Sequence, residues 1–419
     1  MLLVKLISNK NTMYSAMSMA ANLMLPLAAI PFLSRALGGE VFGEFAIAQA
    51  AALIVCQLVD FGFSLSGARE VAGEHEHSEI SAIYSKYQNT RCFLFLVALV
   101  FVSILLPFKV IPVPSILLMA TTYSSALGVL LQANWFFQGR ALYGWLALAN
   151  FTGKLAYFLI VVGFVKNPDD VALAGFAFGF GYLVSGIVLT FAILSLNVKY
   201  VFKLNLSEIF KTIKNGLSNF LSLALLSVHF QLVIILTGHF VSVKASGMLS
   251  IADKMVRGLS ALAIPIANTA FPILSNLFAK NVQDAKNLRL KVAKILISYS
   301  LICCLIIFVF GSYIGEYLFK INDSHFGELI KIASLLPVFI SIGVLNGGLT
   351  LIPAGFNFEY LFSIMVGEVF ALIAFFSTLY IAQEYSGVVA IVVAEGAMAA
   401  MFYLFARVRL SSMDDKAGL

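Results

Sequence analysis

The chain has 419 residues, 61% of them hydrophobic and only 11% charged, with a mean hydropathy of +0.96 and a formal net charge of +6. A soluble domain carries roughly 25% charged residues, so this composition cannot furnish a water-facing surface, and lipid must be the solvent for most of the chain. The small positive balance is no nucleic-acid signal, and Cys56, Cys92, Cys303 and Cys304 lie in or beside apolar runs without metal-ligand spacing, so neither a disulfide framework nor a metal centre is expected.

A spanning helix needs about 20 mostly apolar residues. In chain order such runs fall at 12–34, 42–63, 92–112, 115–137, 142–165, 171–195, 217–240, 246–271, 293–319, 329–351, 359–382 and 386–406, which predicts about twelve transmembrane helices. The first run lacks a small-residue cleavage site and is expected to stay as an anchor. Pro26, Pro31, Pro265, Pro272, Pro337 and Pro353 lie in or at the ends of these runs, where they are expected to kink or break helices. The longest polar stretches, 64–91, 197–215 and 274–292, are too short for a soluble domain, so function must live between helices. Lys199 to Lys214, interleaved with Tyr200, Phe202, Leu206, Ile209, Phe210 and Ile213, reads as an amphipathic interfacial segment that favours anionic membrane lipids. No G-x-x-x-x-G-K-[ST] loop is present, so the chain itself does not use ATP. No large loop carries paired carboxylates or a metal cluster. Neither an enzyme nor a cofactor is expected, and the exposed Glu74-His75-Glu76-His77 stretch is too short for a metal site.

With the N-terminus in the cytoplasm, 18 of the 27 Lys and Arg fall on the cytoplasmic side, six on the other side and three inside runs. That bias is a positive-inside signal, and it supports an even number of helices with both termini in the cytoplasm. Phe42 to Gln49 opens the second run and Ser246 to Asp253 opens the eighth, 204 positions later, with Gly, Ile and Ala coinciding at three of eight positions. The predicted fold is therefore an all-α membrane protein of two six-helix lobes, residues 1–205 and 206–419. The lobes are parallel repeats about an axis along the membrane normal, with the site at their interface.

The three cations inside runs are Lys154, Lys254 and Arg257. Each costs roughly 2.5–3.5 kcal/mol at a helix centre, so partners or a wet cavity are implied. Two readings stand: a cationic cavity wall that meets a phosphate, or structural pairing, for which Asp253 and Arg257 are suitably four residues apart. Glu368 and Glu395, near the middle of their runs, could carry a proton on transport or pair with Lys154 or Lys254 to order the bundle. Asp60, Arg69 and Arg91 flank the loop after the second run and Arg35 ends the first, positions from which side chains can snorkel to the interface. His229 suits a hydrogen bond across helices, and Gly175 with Gly179 forms a small-xxx-small pair for helix packing.

Phe42-Gly43 with Phe45, Asp60-Phe61-Gly62, Arg69-Glu70-Val71-Ala72, Asn134-Trp135-Phe136-Phe137-Gln138-Gly139, and Gly247 to Lys254 followed by Pro265 and Phe271-Pro272-Ile273-Leu274-Ser275 span nearly the whole chain. Together they resemble the polysaccharide transporter proteins: the O-antigen and repeat-unit flippases of the multidrug/oligosaccharidyl-lipid/polysaccharide exporter superfamily. The resemblance implies a V-shaped pair of six-helix lobes working by alternating access in the bacterial inner membrane. It implies an undecaprenyl-diphosphate-linked oligosaccharide as cargo, moved from the cytoplasmic to the periplasmic leaflet under an ion gradient. A polysaccharide polymerase and a chain-length regulator are the implied partners. On this reading Lys154, Lys254 and Arg257, with Arg35 and Arg91 behind them, would meet the diphosphate, and Glu368, Glu395, Asp253 and Asp60 would couple the ion. The alternative is a multidrug/cation antiporter of the same superfamily. Such proteins often carry an acidic residue in helix one, and the run 12–34 has no Asp or Glu.

Overall fold

The computed structural model describes residues 10–105, 115–321 and 323–417, and all regular structure among them is helical. The end of the predicted run 92–112 lies outside the described residues. The chain forms two compact units, Met1–Gly247 and Met248–Leu419. Their boundary falls later in the chain than the repeat-based division at 205/206.

The first unit opens with α1 (Lys10–Asp60), 51 helical residues interrupted at Gly38, whose φ of 74° and ψ of 170° suit glycine alone. Pro26 and Pro31 lie within this helix and do not break it. Gly38 divides it into two helical stretches, 10–37 and 39–60, which at 1.5 Å per residue are about 42 and 33 Å long, each enough for a hydrocarbon thickness of about 30 Å. The helix ends in a left-handed turn at Phe61 (φ 48°) and Gly62 (φ 69°). There a Cβ on Gly62 would lie 2.8 Å from the Phe220 backbone nitrogen, so the turn needs glycine for space as well as for φ.

The predicted polar loop 64–91 is largely helical, forming α2 (Phe63–Ala72) and the first turns of α3 (His77–Leu105). Between them Glu74 accepts the backbone N–H groups of Glu76 (2.9 Å) and His75 (2.8 Å), which hold its carboxyl below the usual carboxylate range. The polar residues of α3 are spaced by four and form one row. His77 Nε2 lies 2.9 Å from the Asn197 carbonyl, and Ser81 Oγ accepts from Lys199 N (3.2 Å). Ser85 Oγ accepts from Val201 N (3.0 Å) and Asn89 Nδ2 donates to Val201 O (3.1 Å). The predicted amphipathic segment 199–214 is thus divided. Its start is non-helical chain held against α3, and a helix begins only after Asn205, whose side chain accepts from Glu208 N.

The remaining helices of this unit are α4 (Ile116–Leu131), α5 (Asn134–Gly139), α6 (Tyr143–Phe164), α7 (Val171–Ser195), α8 (Leu206–Phe240) and the first turn of α9 (Val243–Ser260). The predicted run 115–137 is broken at Gln132 and Ala133. In lipid, helices associate through close approach of small residues, and α7 follows this rule. A Cβ on Gly175 would lie 2.7 Å from both Thr121 Oγ1 and Thr122 Oγ1 of α4, and one on Gly181 would lie 2.8 Å from the Gly153 carbonyl of α6. A Cβ on Gly247 would sit 3.0 Å from Gly43 Cα and from the Gly39 carbonyl, and one on Gly43 would collide with the Val243 carbonyl. Gly39 and Val243 are 204 positions apart, as are Gly43 and Gly247. The contact is therefore reciprocal under the offset of the sequence repeat.

The second unit holds the rest of α9, then α10 (Ile264–Lys280), α11 (Val282–Phe319), α12 (Ser324–Ala333), α13 (Leu336–Gly343), a π-helical turn (Val344–Leu351), α14 (Asn357–Leu379) and α15 (Ser386–Ala417). The predicted polar stretch 274–292 is also helical. α10 runs on to Lys280, and Asn281 then caps α11 by accepting from Asp284 N at 3.2 Å. Pro265 and Pro337 occupy the first turns of α10 and α13, where no helical N–H is lost. Arg289 donates to Asn346 Oδ1 (2.6 Å) and Thr350 Oγ1 (2.9 Å) on the π turn.

Among the described residues nine helices are long and apolar enough to cross a membrane, or ten if the bent α9–α10 pair is one span. Length and composition make this a multi-pass membrane protein.

Candidate functional site: a polar cavity in the first unit

A cavity of about 400 Å³ lies within the first unit. α1 contributes Ser18 and Asn22, and the break between α4 and α5 contributes Gln132, Asn134 and Gln138. α6 contributes Tyr143, Leu146, Asn150 and Lys154, and α7 contributes Tyr182 and Ser185. Ten of these eleven side chains are polar, one is a cation and none is a carboxylate. For helices this apolar, that concentration of polar groups requires a ligand or water.

Local sequence explains how the groups are aimed. The α6 residues recur at intervals of three and four, which places them on one helical face. In α5, Trp135, Phe136 and Phe137 are at most 1% exposed and pack with Tyr84, Tyr87 and Phe63. The Trp135 and Tyr87 rings lie 4.9 Å apart. A Cβ on Gly139 would collide with the Ala68 carbonyl, so glycine is what lets α5 seat against α2. The aromatic trio anchors this short helix while Asn134 and Gln138, four apart, line the cavity. Gln132 Nε2 donates to the Tyr182 carbonyl (2.9 Å) and Asn150 Nδ2 to Ser18 Oγ (2.7 Å), which ties α4 to α7 and α6 to α1 around the space.

Lys154 Nζ stands 3.9 Å from the centroid of the Tyr182 ring, a cation–π contact. Among the described residues no carboxylate lies within ion-pair distance of it. Asn134 Oδ1 is buried and accepts no hydrogen bond from the described residues.

The other predicted site residues lie elsewhere. Arg91 is 0% exposed. It donates to the carbonyls of Leu130 (3.0 Å), Val129 (2.5 Å) and Gln132 (3.3 Å) and to Gln88 Oε1 (3.1 Å), with Asp60 at 4.0 Å. It caps the C-terminus of α4 and neither snorkels nor lines the cavity. Arg35 is exposed on α1, away from the lining. In the second unit, Arg257 Nε donates to Asp253 Oδ1 at 2.7 Å and Nη2 to Glu395 Oε1 at 3.4 Å, so two carboxylates from α9 and α15 neutralise one guanidinium. Lys254 is half-buried beside Asp253, and Glu368 is half-buried on α14. Of the five predicted cations, the first-unit cavity contains Lys154.

Sequence reasoning missed Asn22, Asn134, Gln138, Tyr143, Asn150 and Tyr182 as cavity residues. The spacing of Tyr143, Asn150 and Lys154 along an apolar helix was the signal that could have found part of this set.

An all-helical, multi-pass chain enclosing a polar, cationic cavity has the build of a membrane transporter. Solved structures share the fold. An inward-facing multidrug resistance MATE family transporter of the MOP superfamily superposes with a TM-score of 0.72 at 17% identity, covering 97% of this chain and 99% of that one. A MOP superfamily transporter from Pyrococcus furiosus superposes with a TM-score of 0.65 at 15% identity, covering 98% of each chain. In sequence, a candidate O-antigen transporter of Shigella dysenteriae is 28% identical over 349 residues, 83% of this chain and 86% of that one. A candidate O-antigen transporter of Escherichia coli K12 is 23% identical over 96% of this chain and 97% of its own length. Residues 8–278 match the family described as polysaccharide biosynthesis protein, and the chain belongs to that family.

Proposed function

We propose that the protein is a flippase that moves an undecaprenyl-diphosphate-linked oligosaccharide from the cytoplasmic to the periplasmic leaflet of the bacterial inner membrane. The observation that carries this reading is Lys154, a cation with no carboxylate partner among the described residues, in a cavity lined by amides and hydroxyls. The cargo's polar head cannot cross hydrocarbon unaided. A hydrated cavity would shield it while the isoprenoid tail stays in lipid. The two relatives named as O-antigen transporters support this cargo.

The sign of the cavity separates this reading from a cation antiporter. At an effective dielectric of 20, two unit charges 4 Å apart interact by about 4 kcal/mol. Lys154 therefore attracts a diphosphate, which carries two negative charges, and repels a cationic drug.

Twelve spans, two parallel repeats and cytoplasmic termini complete the proposal. α1 is long enough for two spans, the α9–α10 pair counts as one, and α8 adds another to those already apolar enough. The reciprocal Gly43–Gly247 contact supports the repeat. Alternating access would be driven by an ion gradient, with the Asp253–Arg257–Glu395 network and nearby Glu368 as the coupling element, since protonating either paired carboxylate would loosen Arg257. Asp60, set beside Arg91, is the further carboxylate of this proposal.

The test is complementation. Expressed in a strain that lacks its repeat-unit flippase and makes a matching lipid-linked oligosaccharide, the protein should restore surface polysaccharide on gels and leave drug susceptibility unchanged. Drug resistance without restored polysaccharide would favour the antiporter and overturn this reading.

A further inference from the structure

We propose that the chain from Lys199 to Lys214 is a preformed docking surface for anionic phospholipid headgroups. Its lysines meet the lipid phosphates, while Val201, Phe202, Leu204 and Phe210 enter the boundary between headgroups and acyl chains. The surface is separate from the polar cavity, and its binding does not depend on transport. Three features of the segment support it.

The first is the backbone. Residues 198–205 are non-helical, and such chain tolerates contact with lipid only where its polar groups are satisfied by protein. α3 supplies those partners. Lys199 N donates to Ser81 Oγ (3.2 Å) and Val201 N to Ser85 Oγ (3.0 Å), while the Val201 carbonyl accepts from Asn89 Nδ2 (3.1 Å). The Lys203 carbonyl accepts from Asn205 N at 3.0 Å. A strap in bulk water would need none of these partners. The second is depth. Asn89 Oδ1 also accepts from the Tyr200 hydroxyl at 2.8 Å. At 1.5 Å per residue Asn89 lies about 10 Å along α3 from Leu96, where the exposed apolar side chains of that helix begin. The Phe93 and Phe210 rings are 6.0 Å apart, so the start of α8 packs at the same level. There Val201, Phe202, Leu204 and Phe210 are 58–66% exposed, and the headgroup–acyl boundary is the solvent that suits them. The third is charge. Lys199, Lys203, Lys211 and Lys214 are all exposed, and Glu208 is the one carboxylate between them. The lysines alternate with the apolar side chains, an order that a bilayer surface meets with phosphates and acyl chains side by side. Each basic residue at an anionic surface strengthens binding about fivefold.

The experiment places the full chain in phosphatidylcholine nanodiscs, with Phe202→Trp as the reporter and the fluorescence of the native Trp135 and Trp145 subtracted. A minor fraction of the lipid is brominated on its acyl chains, as phosphatidylglycerol in one set of discs and as phosphatidylcholine in the other. Both leaflets have the same composition, so the result does not depend on the orientation of the chain. Both brominated lipids should quench the reporter, and phosphatidylglycerol should be preferred about tenfold or more, because two lysines flank the reporter. Lys199→Gln together with Lys203→Gln should bring the preference close to one, as should high salt, which screens exposed charges. Leu204→Trp serves as the reporter if Phe202→Trp lowers the yield of folded protein. Equal quenching by the two lipids, or a preference that survives the double substitution, would overturn the pairing of these lysines with headgroups. Quenching by neither lipid would place the segment in water or against another protein and overturn the proposal outright.

Discussion

Replacing Lys154 with Met should abolish restoration of surface polysaccharide while leaving the amount of protein in the membrane and its melting temperature unchanged. The reasoning compares what the charge costs with what it gains. A lysine at a helix centre costs roughly 2.5–3.5 kcal/mol, and a desolvated cation–π contact with a ring such as Tyr182 returns about 2 kcal/mol or more. With no carboxylate among the described residues in ion-pair distance, the two nearly cancel, and an unbranched apolar side chain of similar length should fit the place of Lys154 with little stability loss. Removing one partner of a buried charge contact with a ligand costs about 2–5 kcal/mol or more, so the diphosphate contact should weaken by about 30-fold or more. Lys154→Arg keeps the charge and should retain part of the activity. The check is gel analysis of surface polysaccharide beside an immunoblot and a thermal melt of the same variants. Normal polysaccharide from Lys154→Met would remove this side chain from the mechanism.

Arg91 predicts the opposite pattern, loss of the fold itself. Arg91→Met should eliminate much of the folded protein, because the buried guanidinium donates to the carbonyls of Val129, Leu130 and Gln132 where α4 ends and faces Asp60 at 4.0 Å. Removing one member of a buried charge pair costs about 3–5 kcal/mol, and the loss of charge-assisted hydrogen bonds to three carbonyls adds to it. α4 holds one side of the cavity through Gln132, so transport should fall with the fold. Arg91→Lys should rescue little, since a single ammonium cannot span carbonyls that a planar fork reaches together. Size-exclusion profiles and melts of detergent-solubilised variants provide the measurement. A monodisperse Arg91→Met protein with the wild-type melting temperature would show that the cap is dispensable.

The pair of residues also shows what the sequence made legible. Lys154 stood out because an isolated cation inside an apolar run is expensive wherever the helix finally packs. Arg91 lies at the edge of a run and reads as a snorkelling side chain; only the path of α4 across it reveals the cap, and that is a tertiary fact. The Asp253–Arg257 pair follows from i,i+4 spacing, whereas Glu395 comes from 138 positions away and has no local signature. Neutral amides such as Asn150 and Gln138 are inexpensive in helices and raise no alarm in a hydropathy reading, which is why most of the cavity lining was invisible. The helix break in α1 fell at Gly38 and not at Pro26 or Pro31 because a left-handed φ demands glycine, while prolines within a helix can be accommodated in a membrane bundle. The polar stretches 64–91 and 274–292 read as loops by hydropathy yet are mostly helical, since a helix satisfies its own backbone whatever the polarity of its side chains.

Reconstitution offers the most direct test of the transport claim. Protein is placed in liposomes with a fluorescent undecaprenyl-diphosphate-linked oligosaccharide, and the label on the inner leaflet is followed as it becomes accessible to an impermeant quencher. Wild-type protein should expose that label far faster than Lys154→Met protein or protein-free vesicles do. Equal rates in all three preparations would contradict the account.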